Sequence, residues 1–324
     1  MRLLVTGGSG FIGTNLIKSF QNLDKFEIIN IDIASPKLKD QFTFWKNIDI
    51  RDYNSLKNVI INFKPNIVIH LAAKTDLNGT NIEVYDSNTS GVKNLLKVLD
   101  LVEGLERVIF ASSMYVCKPG YLPSNWDDYK PHTIYGKSKV LTEKIIKEFN
   151  PKYIWTIVRP TSIWGPFFGE PYNLFFKIVL SKKYFHLGKR ACNKTYGYID
   201  NFIYQIESIL QSQTKNINKK TFYLGDYQPY DITAWANEIA ALKNIKIPKI
   251  PYSIFKLVAY FGDILKFFSI KFPMTSFRLK NMTTNNVYDM TSTQIIAPNL
   301  PVSRLDGTKK TILWLENNND LKGK

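Results

Sequence analysis

The stretch RLLVTGGSGFIG, residues 2–13, decides the fold of this chain. A short apolar run leads into a glycine-rich turn, after which a helix is expected to begin. Gly7, Gly10 and Gly13 have the spacing at which the first glycine permits a tight turn, the second admits a pyrophosphate and the third lets helix and strand pack closely. Asp32 follows about 20 residues later, where a carboxylate binds the ribose of a dinucleotide. We therefore predict a dinucleotide site at the N-terminus of this helix, where backbone N–H groups face the phosphates.

Segments with strand-like and helix-like patterns alternate over the first 160 residues. We predict strands at 27–32, 42–48, 66–71, 107–112 and 153–159, and helices at 54–63, 81–100 and 135–149. Near-continuous apolar strands that alternate with helices are typical of a parallel sheet covered on both faces. The pattern predicts an α/β fold with a Rossmann-type doubly wound parallel sheet, whose ligands bind beyond the carboxyl ends of the strands.

The pattern changes after Pro160, where glycine, proline and aromatic residues become frequent. We predict a strand at 221–224 and a helix at 233–242. Residues 1–165 are expected to form the NAD(P)-binding domain, to which segments near 195–230 return, and residues 166–324 mostly a smaller C-terminal substrate-binding lobe. Residues 254–268 place seven apolar side chains on one helical face. We expect this face to pack against the core or the lobe, and a helix on a membrane surface is the alternative.

The composition limits the classes of protein to consider. The net charge is +16, but the lysines are scattered, so we interpret it as a compositional bias with a benefit for anionic ligands rather than as a nucleic-acid or membrane signal. Three histidines and two cysteines without metal or redox spacing predict no metal centre. No apolar run has the length of a membrane span. The first strand begins at residue 2, so we expect no signal peptide and a reducing, cytoplasmic location.

Two polar clusters suggest redox chemistry on a hydroxyl group. Tyr135 and Lys139 stand four residues apart on a predicted helix and so share a face. A free phenol has a pKa of about 10, and a nearby ammonium and a nicotinamide cation would stabilise the phenolate that accepts a proton. Ser112 and Ser113 end a predicted strand at the binding edge, where a hydroxyl would hydrogen-bond the reacting group. The alternatives are a solvated helix pair and a helix cap.

In this order along the chain, the motifs resemble those of extended short-chain dehydrogenases/reductases of the nucleotide-sugar epimerase/dehydratase superfamily. The resemblance covers almost the whole chain, at residues 6–13, 32, 49–52, 70–73, 88, 112–113, 135, 139, 159–166, 198–200, 288–289, 300–302 and 311–314. Its implied fold agrees with the one predicted from the alternation of strands and helices.

The resemblance also implies roles for individual residues. Tyr135 would be the general acid/base, Lys139 would anchor the nicotinamide ribose, and Ser113 would be the catalytic hydroxyl. Asp32 would bind the adenosine ribose and favour NAD, while Lys37 and Lys39 leave NADP open. The cofactor-binding set is completed by Gly7, Gly10, Phe11, Ile12, Gly13, Asp49, Ile50, Leu71, Ala72, Ala73, Asn88, Ser112 and Pro160. The substrate-binding set is Lys74, Thr75, Ser113, Met114, Thr161, Asn173, Lys194 and Arg278.

Departures from the family pattern narrow the predicted activity. Met114 and Tyr115 stand where sugar 4,6-dehydratases carry an Asp-Glu pair, so dehydration is disfavoured. We predict a nucleotide-sugar 4-epimerase that works by hydride transfer at hexose C4. The resemblance also implies a homodimer through the helices near 81–100 and 135–149 and a role in polysaccharide precursor synthesis. The alternative is an NAD(P)H-dependent reductase of 4-keto-6-deoxysugar nucleotides. A 3β-hydroxysteroid-type dehydrogenase and a non-enzymatic dinucleotide-sensing or nucleic-acid-binding module are less favoured.

Overall fold

The computed structural model describes residues 1–23, 25–188, 192–267, 270, 272 and 275–318, without the side chains of residues 266, 267, 277, 278 and 281. Its strands are β1 (Arg2–Thr6), β2 (Glu27–Asp32), β3 (Trp45–Asn47), β4 (Ile67–His70), β5 (Arg107–Ala111), β6 (Ile154–Pro160), β7 (Ser162–Trp164), β8 (His186–Leu187), β9 (Asn193–Lys194), β10 (Tyr196–Tyr198), β11 (Lys220–Leu224), β12 (Tyr230–Asp231) and β13 (Lys249–Ile250). Seven of them form a sheet in the order β11-β6-β5-β4-β1-β2-β3. All its pairs are parallel, which confirms the predicted fold class.

The α-helices of the described residues include those that cover both faces of this sheet. They are α1 (Phe11–Phe20), α2 (Tyr53–Phe63), α3 (Ser90–Leu99), α4 (Ile134–Phe149), α5 (Leu174–Leu180), α6 (Ile199–Gln211), α7 (Thr214–Ile217), α8 (Ile232–Ala241), α9 (Tyr252–Phe267), α10 (Ser276–Thr283), α11 (Thr291–Ile296) and α12 (Arg304–Asn317). Successive strand residues point to opposite faces. Leu3 and Val5 accordingly join a core cluster with α1, α6 and α8, whereas Leu4 joins a second cluster with α2 and α3.

Of the strands after β6, β11 belongs to the main sheet, and the others form separate two-stranded pairs. β11 pairs with β6 at the sheet edge, at the register Lys220 to Thr156. Three two-stranded pairs lie outside the main sheet, namely β7 with β10, β9 with β12, and β8 with β13. The assignment of residues near 195–230 to the cofactor-binding domain stays a prediction. The division of the chain near residue 165 stays a prediction.

Two predicted elements differ from the structure for identifiable reasons. The strand expected at 42–48 is a 3₁₀ helix, Lys39–Phe44, followed by the short β3. Buried Gln41 donates from Nε2 to the Thr14 carbonyl at 2.9 Å, which ties this segment to α1. The helix expected at 81–100 is divided into a 3₁₀ helix, Glu83–Asn88, and α3, because Thr89 between them has a non-helical backbone.

A third expectation, the packing of the 254–268 face, is wrong. These residues form most of α9, but Leu257 is 70% exposed and Ile264 56% exposed. The buried positions of the helix are the small residues Ala259 and Gly262. Phe268 lies outside the described residues.

Within the described residues, no helix combines the length and the hydropathy that a membrane span requires.

Candidate active site

A cavity of about 720 Å³ opens at the carboxyl ends of the central strands. Residues that follow β1, β2, β4 and β5 line it, together with Pro160 at the end of β6. This edge is where doubly wound sheets bind ligands, and the volume suits a ligand of cofactor size. The cavity is therefore the candidate active site.

The turn between β1 and α1 leaves room for a ligand only because glycines form it. Gly7 has φ +75°, and a Cβ on Gly7 would lie 2.5 Å from the Ala72 nitrogen. A Cβ on Gly13 would lie 2.4 Å from the Gly7 carbonyl oxygen, so any side chain would push α1 away from the turn. The tight turn and the close helix–strand packing of a pyrophosphate-binding loop are thus both present.

A polar network that the sequence motifs did not reveal fixes this loop. Asn30 accepts from the Gly8 N–H at 2.9 Å through Oδ1 and donates to Ser9 Oγ at 3.1 Å through Nδ2. The Asp32 carboxylate accepts from the Ser9 and Ala34 N–H groups, each at 2.9 Å. Asp32 also lines the cavity. The hydrogen bonds from the Ser9 and Ala34 N–H groups therefore fix the Asp32 carboxylate at the part of the cavity where the resemblance places the adenosine ribose.

Lys37 and Lys39, the two lysines that could favour NADP, do not line the cavity with the Asp32 carboxylate. Lys37 donates from Nζ to the Phe167 carbonyl at 2.8 Å, and burial lowers its pKa. An acidic residue at the ribose position, with these lysines elsewhere, fits NAD.

The predicted catalytic trio lies in one cavity wall. Thr133 caps α4 by accepting from the Gly136 N–H at 2.9 Å, which fixes the helix start just before Tyr135. Lys139, one turn later, donates from Nζ to the Ala111 carbonyl at 2.9 Å. Ser113, Tyr135 and Lys139 all line the cavity.

Burial acts on the charges of this trio. It raises the pKa of the Tyr135 phenol, and a hydrogen bond from Ser113 opposes the rise. It lowers the pKa of Lys139 to about 8, while the Glu143 carboxylate opposes that change. A neutral phenol beside a displaceable ammonium proton is an arrangement suited to proton exchange with a substrate hydroxyl.

A buried ion pair supports the wall from behind. Arg159 donates from Nε and Nη2 to the two Glu143 carboxylate oxygens, each at 2.8 Å, and both side chains are fully buried. Ser112 donates to Glu143 Oε1 at 2.6 Å. The Ser113 hydroxyl accepts from the Tyr115 N–H at 3.1 Å and so caps the short 3₁₀ turn Met114–Val116, as the helix-cap alternative anticipates. Ser113 also lines the cavity, where its O–H can donate to Tyr135 or to a ligand.

The substrate end of the cavity is partly apolar. Lys74, Thr75, Met114 and Thr161 line it as predicted, and Met114 packs in a cluster with Tyr288 and Met290. Tyr115 lines it as well. Its ring stacks on His132 at 5.8 Å and meets the edge of Tyr135 at 5.8 Å.

Most of the predicted ligand-binding residues line this cavity. They are Gly7, Gly10, Phe11, Ile12, Gly13, Asp32, Asp49, Ile50, Leu71, Ala72, Ala73, Lys74, Thr75, Ser112, Ser113, Met114, Tyr135, Lys139, Pro160 and Thr161. Ser9 and Arg51, which lie inside the motifs but outside the predicted ligand-binding sets, also line the cavity, as do Tyr115, Glu170 and Tyr172. Asp49 is engaged by Arg51, whose hydrogen bond lowers the pKa of the carboxyl group.

Three predicted residues do not line the cavity, and a fourth has a side chain outside the described residues. Asn88 is buried behind the wall, donating to Ser138 Oγ at 2.9 Å and accepting from the Lys74 N–H at 2.8 Å, so it positions these residues rather than lining the cavity. Asn173 and Lys194 are also absent from the lining. The buried Asn173 Oδ1 accepts no hydrogen bond within the described part of the chain. The side chain of Arg278 lies outside the described residues.

Comparisons with known proteins agree with this geometry. The sequence model of the family described as "NAD dependent epimerase/dehydratase family" matches residues 3–222. N-acetyl-alpha-D-glucosaminyl-diphospho-ditrans,octacis-undecaprenol 4-epimerase of Escherichia coli O157:H7 is 28% identical over 94% of this chain and 93% of its own length. The dTDP-4-dehydrorhamnose reductase of Aggregatibacter actinomycetemcomitans is 30% identical over 55% of this chain and 56% of its own.

A solved structure extends the likeness to the whole fold. The UDP-glucuronic acid 4-epimerase from Bacillus cereus, in complex with UDP-glucuronic acid and NAD, matches with a TM-score of 0.75 at 18% identity. The match covers 98% of this chain and 100% of that one. At this level of identity, it shows that the two chains share a fold.

Proposed function

Because the chain belongs to the NAD-dependent epimerase/dehydratase family, we propose that it is a nucleotide-sugar 4-epimerase. The observation that carries the proposal is the meeting of Ser113, Tyr135 and Lys139 in one cavity with the glycine turn and Asp32. NAD is the cofactor of this family, and the cradle formed by Gly7 and Gly13 fits its pyrophosphate. The relative that matches over 94% of the chain is named as a 4-epimerase, which supports the choice within the family.

The residues of the cavity have distinct tasks in this proposal. Tyr135 accepts the proton of the C4 hydroxyl and later returns one to the C4 oxygen. Lys139 holds a positive charge that favours the phenolate, and Ser113 hydrogen-bonds the same substrate oxygen. NAD, when bound, supplies a reversible two-electron acceptor. Met114 and Tyr115 stand at the positions where a sugar dehydratase carries carboxyl groups that assist the loss of water. Since neither residue has a carboxyl group, the proposed reaction does not include dehydration.

A 4-ketoreductase is the second candidate, because a reductase relative matches about half of the chain. The two activities share one half-reaction and differ in whether the cofactor leaves. We would identify the cofactor released on denaturation by mass spectrometry. We would also follow absorbance near 340 nm while adding UDP-, dTDP- and GDP-sugars and a polyprenyl diphosphate sugar. Stoichiometric NAD retained through turnover supports the epimerase, and NAD(P)H consumed by a 4-keto sugar nucleotide supports the reductase.

The Tyr135→Phe variant tests the role of the phenol directly. It keeps the ring and its packing but removes the proton donor, so turnover should fall about 10²-fold or more while NAD binding is retained. Tyr204→Phe, on α6 and outside the cavity lining, is the matched control and should leave turnover unchanged. Turnover of Tyr135→Phe at the wild-type rate would contradict the assignment.

A homodimer in the cytoplasm belongs to the same proposal. A groove beside α3 and α4 is lined by apolar Leu141 and Ile145 and by charges of both signs, including Lys93 and Glu148. A surface with apolar and oppositely charged groups can complement a second copy of itself across a two-fold axis. The division into a cofactor domain over 1–165 and a substrate lobe over 166–324 is likewise proposed.

A further inference from the structure

One face of α9 is apolar and faces outward. Ile254, Leu257, Phe261 and Ile264 follow the spacing that places side chains on one side of a helix. They are 48%, 70%, 55% and 56% exposed, and Tyr260 beside them is 62% exposed. Single exposed apolar residues are ordinary, but a contiguous set of large ones marks an interaction surface.

The opposite side of α9 attaches the helix to the rest of the molecule. Ala259 is fully buried, and the Asp263 carboxylate accepts from the Ser276 N–H at the start of α10 at 3.1 Å. Among the described side chains of α9, Ala259 and Gly262 are buried and Phe255 and Leu265 are half-buried. The Phe261 ring meets the Phe272 ring edge-on at 6.0 Å and is still 55% exposed. With Ile254, Leu257 and Ile264 it forms an apolar face that the described residues leave largely exposed.

The charge around α9 is strongly one-sided. Residues 243–280 contain eight Lys and Arg residues and a single acidic residue, Asp263. One of the eight, Lys243, is paired with Glu316 of α12, so seven cations stand against one carboxylate in the rest of the segment. Lys246, Lys249, Lys256 and Lys280 are exposed. The one carboxylate is already engaged by α10. The segment thus combines an apolar face with a cationic surround.

This combination discriminates between the possible partners. A second copy of the chain would bring two cationic segments together, and like charges repel. A nucleic acid would satisfy the lysines but leave the apolar face in water. An anionic bilayer accepts both, because lysines attract anionic headgroups while apolar side chains enter the boundary between headgroups and acyl chains. We propose that α9 and its flanking lysines dock the protein on the surface of an anionic lipid bilayer.

The docking surface is linked to the wall of the cavity. The chain leaves α10 at Thr283 and returns at once to the substrate side, where the Asn286 N–H donates to the Asn193 carbonyl at 2.9 Å. Two residues later, the Tyr288 N–H donates to Thr195 Oγ1 at 3.0 Å, and Met290 packs with Met114. This inference goes beyond the proposed function, since it holds whatever sugar the cavity binds.

Vesicle flotation of the full chain tests the docking. Wild-type protein should float with vesicles of phosphatidylglycerol and phosphatidylethanolamine and remain at the bottom with phosphatidylcholine alone. Leu257→Glu and Phe261→Glu should each reduce the bound fraction about tenfold, since they place a charge in the apolar boundary. Ile295→Glu, at a 77% exposed apolar position on α11, is the matched control and should float like wild type.

The electrostatic part has its own test. Raising NaCl from about 0.1 M to about 1 M shortens the Debye length from about 10 Å to about 3 Å and should release most of the bound protein. Lys249→Glu with Lys256→Glu should weaken flotation, whereas Lys57→Glu on α2 should not.

Three outcomes would overturn the docking proposal. The wild-type protein could stay at the bottom with every vesicle, or the Leu257→Glu variant could float as well as Ile295→Glu. Sedimentation velocity could instead show that the protein self-associates and that Leu257→Glu abolishes this association. Turnover of a water-soluble nucleotide sugar is measured in parallel without vesicles. It should be equal in all these variants, so that failure of the docking and failure of the proposed activity are distinguishable.

Discussion

Burial shifts the pKa values of the two central residues of the cavity in opposite directions, and in both cases it favours the uncharged form. It favours the neutral phenol of Tyr135 by raising its pKa, and it favours the neutral amine of Lys139 by lowering its pKa to about 8. Glu143, one turn beyond Lys139 on α4, partly restores the ammonium. The catalytic state, a phenolate next to an ammonium, is therefore one that the protein alone disfavours and that a cationic cofactor would favour.

The lowered pKa of Lys139 predicts the alkaline limb of the activity profile. Below about pH 8, the Lys139 ammonium is present, and in the proposed mechanism its charge favours the Tyr135 phenolate. As the pH rises through about 8, that charge is lost. We expect kcat/KM to fall about tenfold per pH unit above this point. Lys139→Arg, which stays protonated, should remove the limb from this range, and Lys137→Arg, exposed on the same helix, should not. A wild-type profile that is flat to pH 10 would contradict the argument.

The buried ion pair behind the wall predicts a large effect on stability. Glu143→Gln would leave the Arg159 guanidinium fully buried without a counter-charge, which should lower the free energy of unfolding by about 3–5 kcal/mol. Glu316→Gln is the matched control, because Glu316 pairs with Lys243 where both side chains are 38% exposed. It should cost less than about 1 kcal/mol. Chemical denaturation of both variants checks the prediction, and equal losses would refute it.

The sequence revealed those site residues that motifs or helix spacing can identify. Tyr135 and Lys139 follow from their spacing, and Glu143 was identifiable by the same rule, since it continues their helix face by one more turn. Asn30 and Ser9 were not identifiable, because their importance lies in hydrogen bonds between β2 and the glycine turn. Tyr172 lines the cavity from a loop whose place depends on the whole fold.

At the scale of elements, the approach of α1 to the turn after β1 controls the cofactor end of the cavity. Gly13→Ala would place a Cβ 2.4 Å from the Gly7 carbonyl oxygen and 2.4 Å from the Gly8 Cα. Since both contacts are with backbone, α1 must move, and we expect NAD affinity to fall at least about tenfold. Gly169→Ala is the matched control: Gly169 also lines the cavity, but an added Cβ meets nothing within 4 Å. Calorimetric titration with NAD measures both variants, and unchanged affinity in Gly13→Ala would be inconsistent with this account.

The elements that the sequence predicted best are those with a continuous apolar pattern between clear boundaries. The central strands and α4 agree within one or two residues, because burial on both faces or a cap such as Thr133 determines them locally. The strand predicted at 42–48 is shorter in the structure, because residues 42–44 belong to the 3₁₀ helix Lys39–Phe44, which a tertiary hydrogen bond from Gln41 ties to α1. The prediction that the apolar face of α9 packs against the core or the lobe is wrong, because the spacing of apolar residues reveals that such a face exists but not what lies against it.

At the scale of the whole molecule, the proposed dimer gives a direct prediction. Leu141 on α4 is 39% exposed within the groove beside α3. Leu141→Asp would place a charge at the centre of a two-fold interface and should convert a dimer into a monomer. Leu313→Asp on α12, where the leucine is 59% exposed, is the control and should leave the dimer intact. Sedimentation equilibrium checks both, and a Leu141→Asp dimer would place the interface elsewhere.

The position of β11 has a consequence for biosynthesis. This strand pairs with β6 along Thr156–Pro160, yet it lies more than fifty residues further along the chain. Until residue 224 has emerged from the ribosome, the outer edge of β6 presents its backbone N–H and C=O groups to any other strand. A chain that stalls or is cut before residue 220 would therefore expose a template for aggregation, and the cell's chaperones would have to cover that edge until β11 arrives.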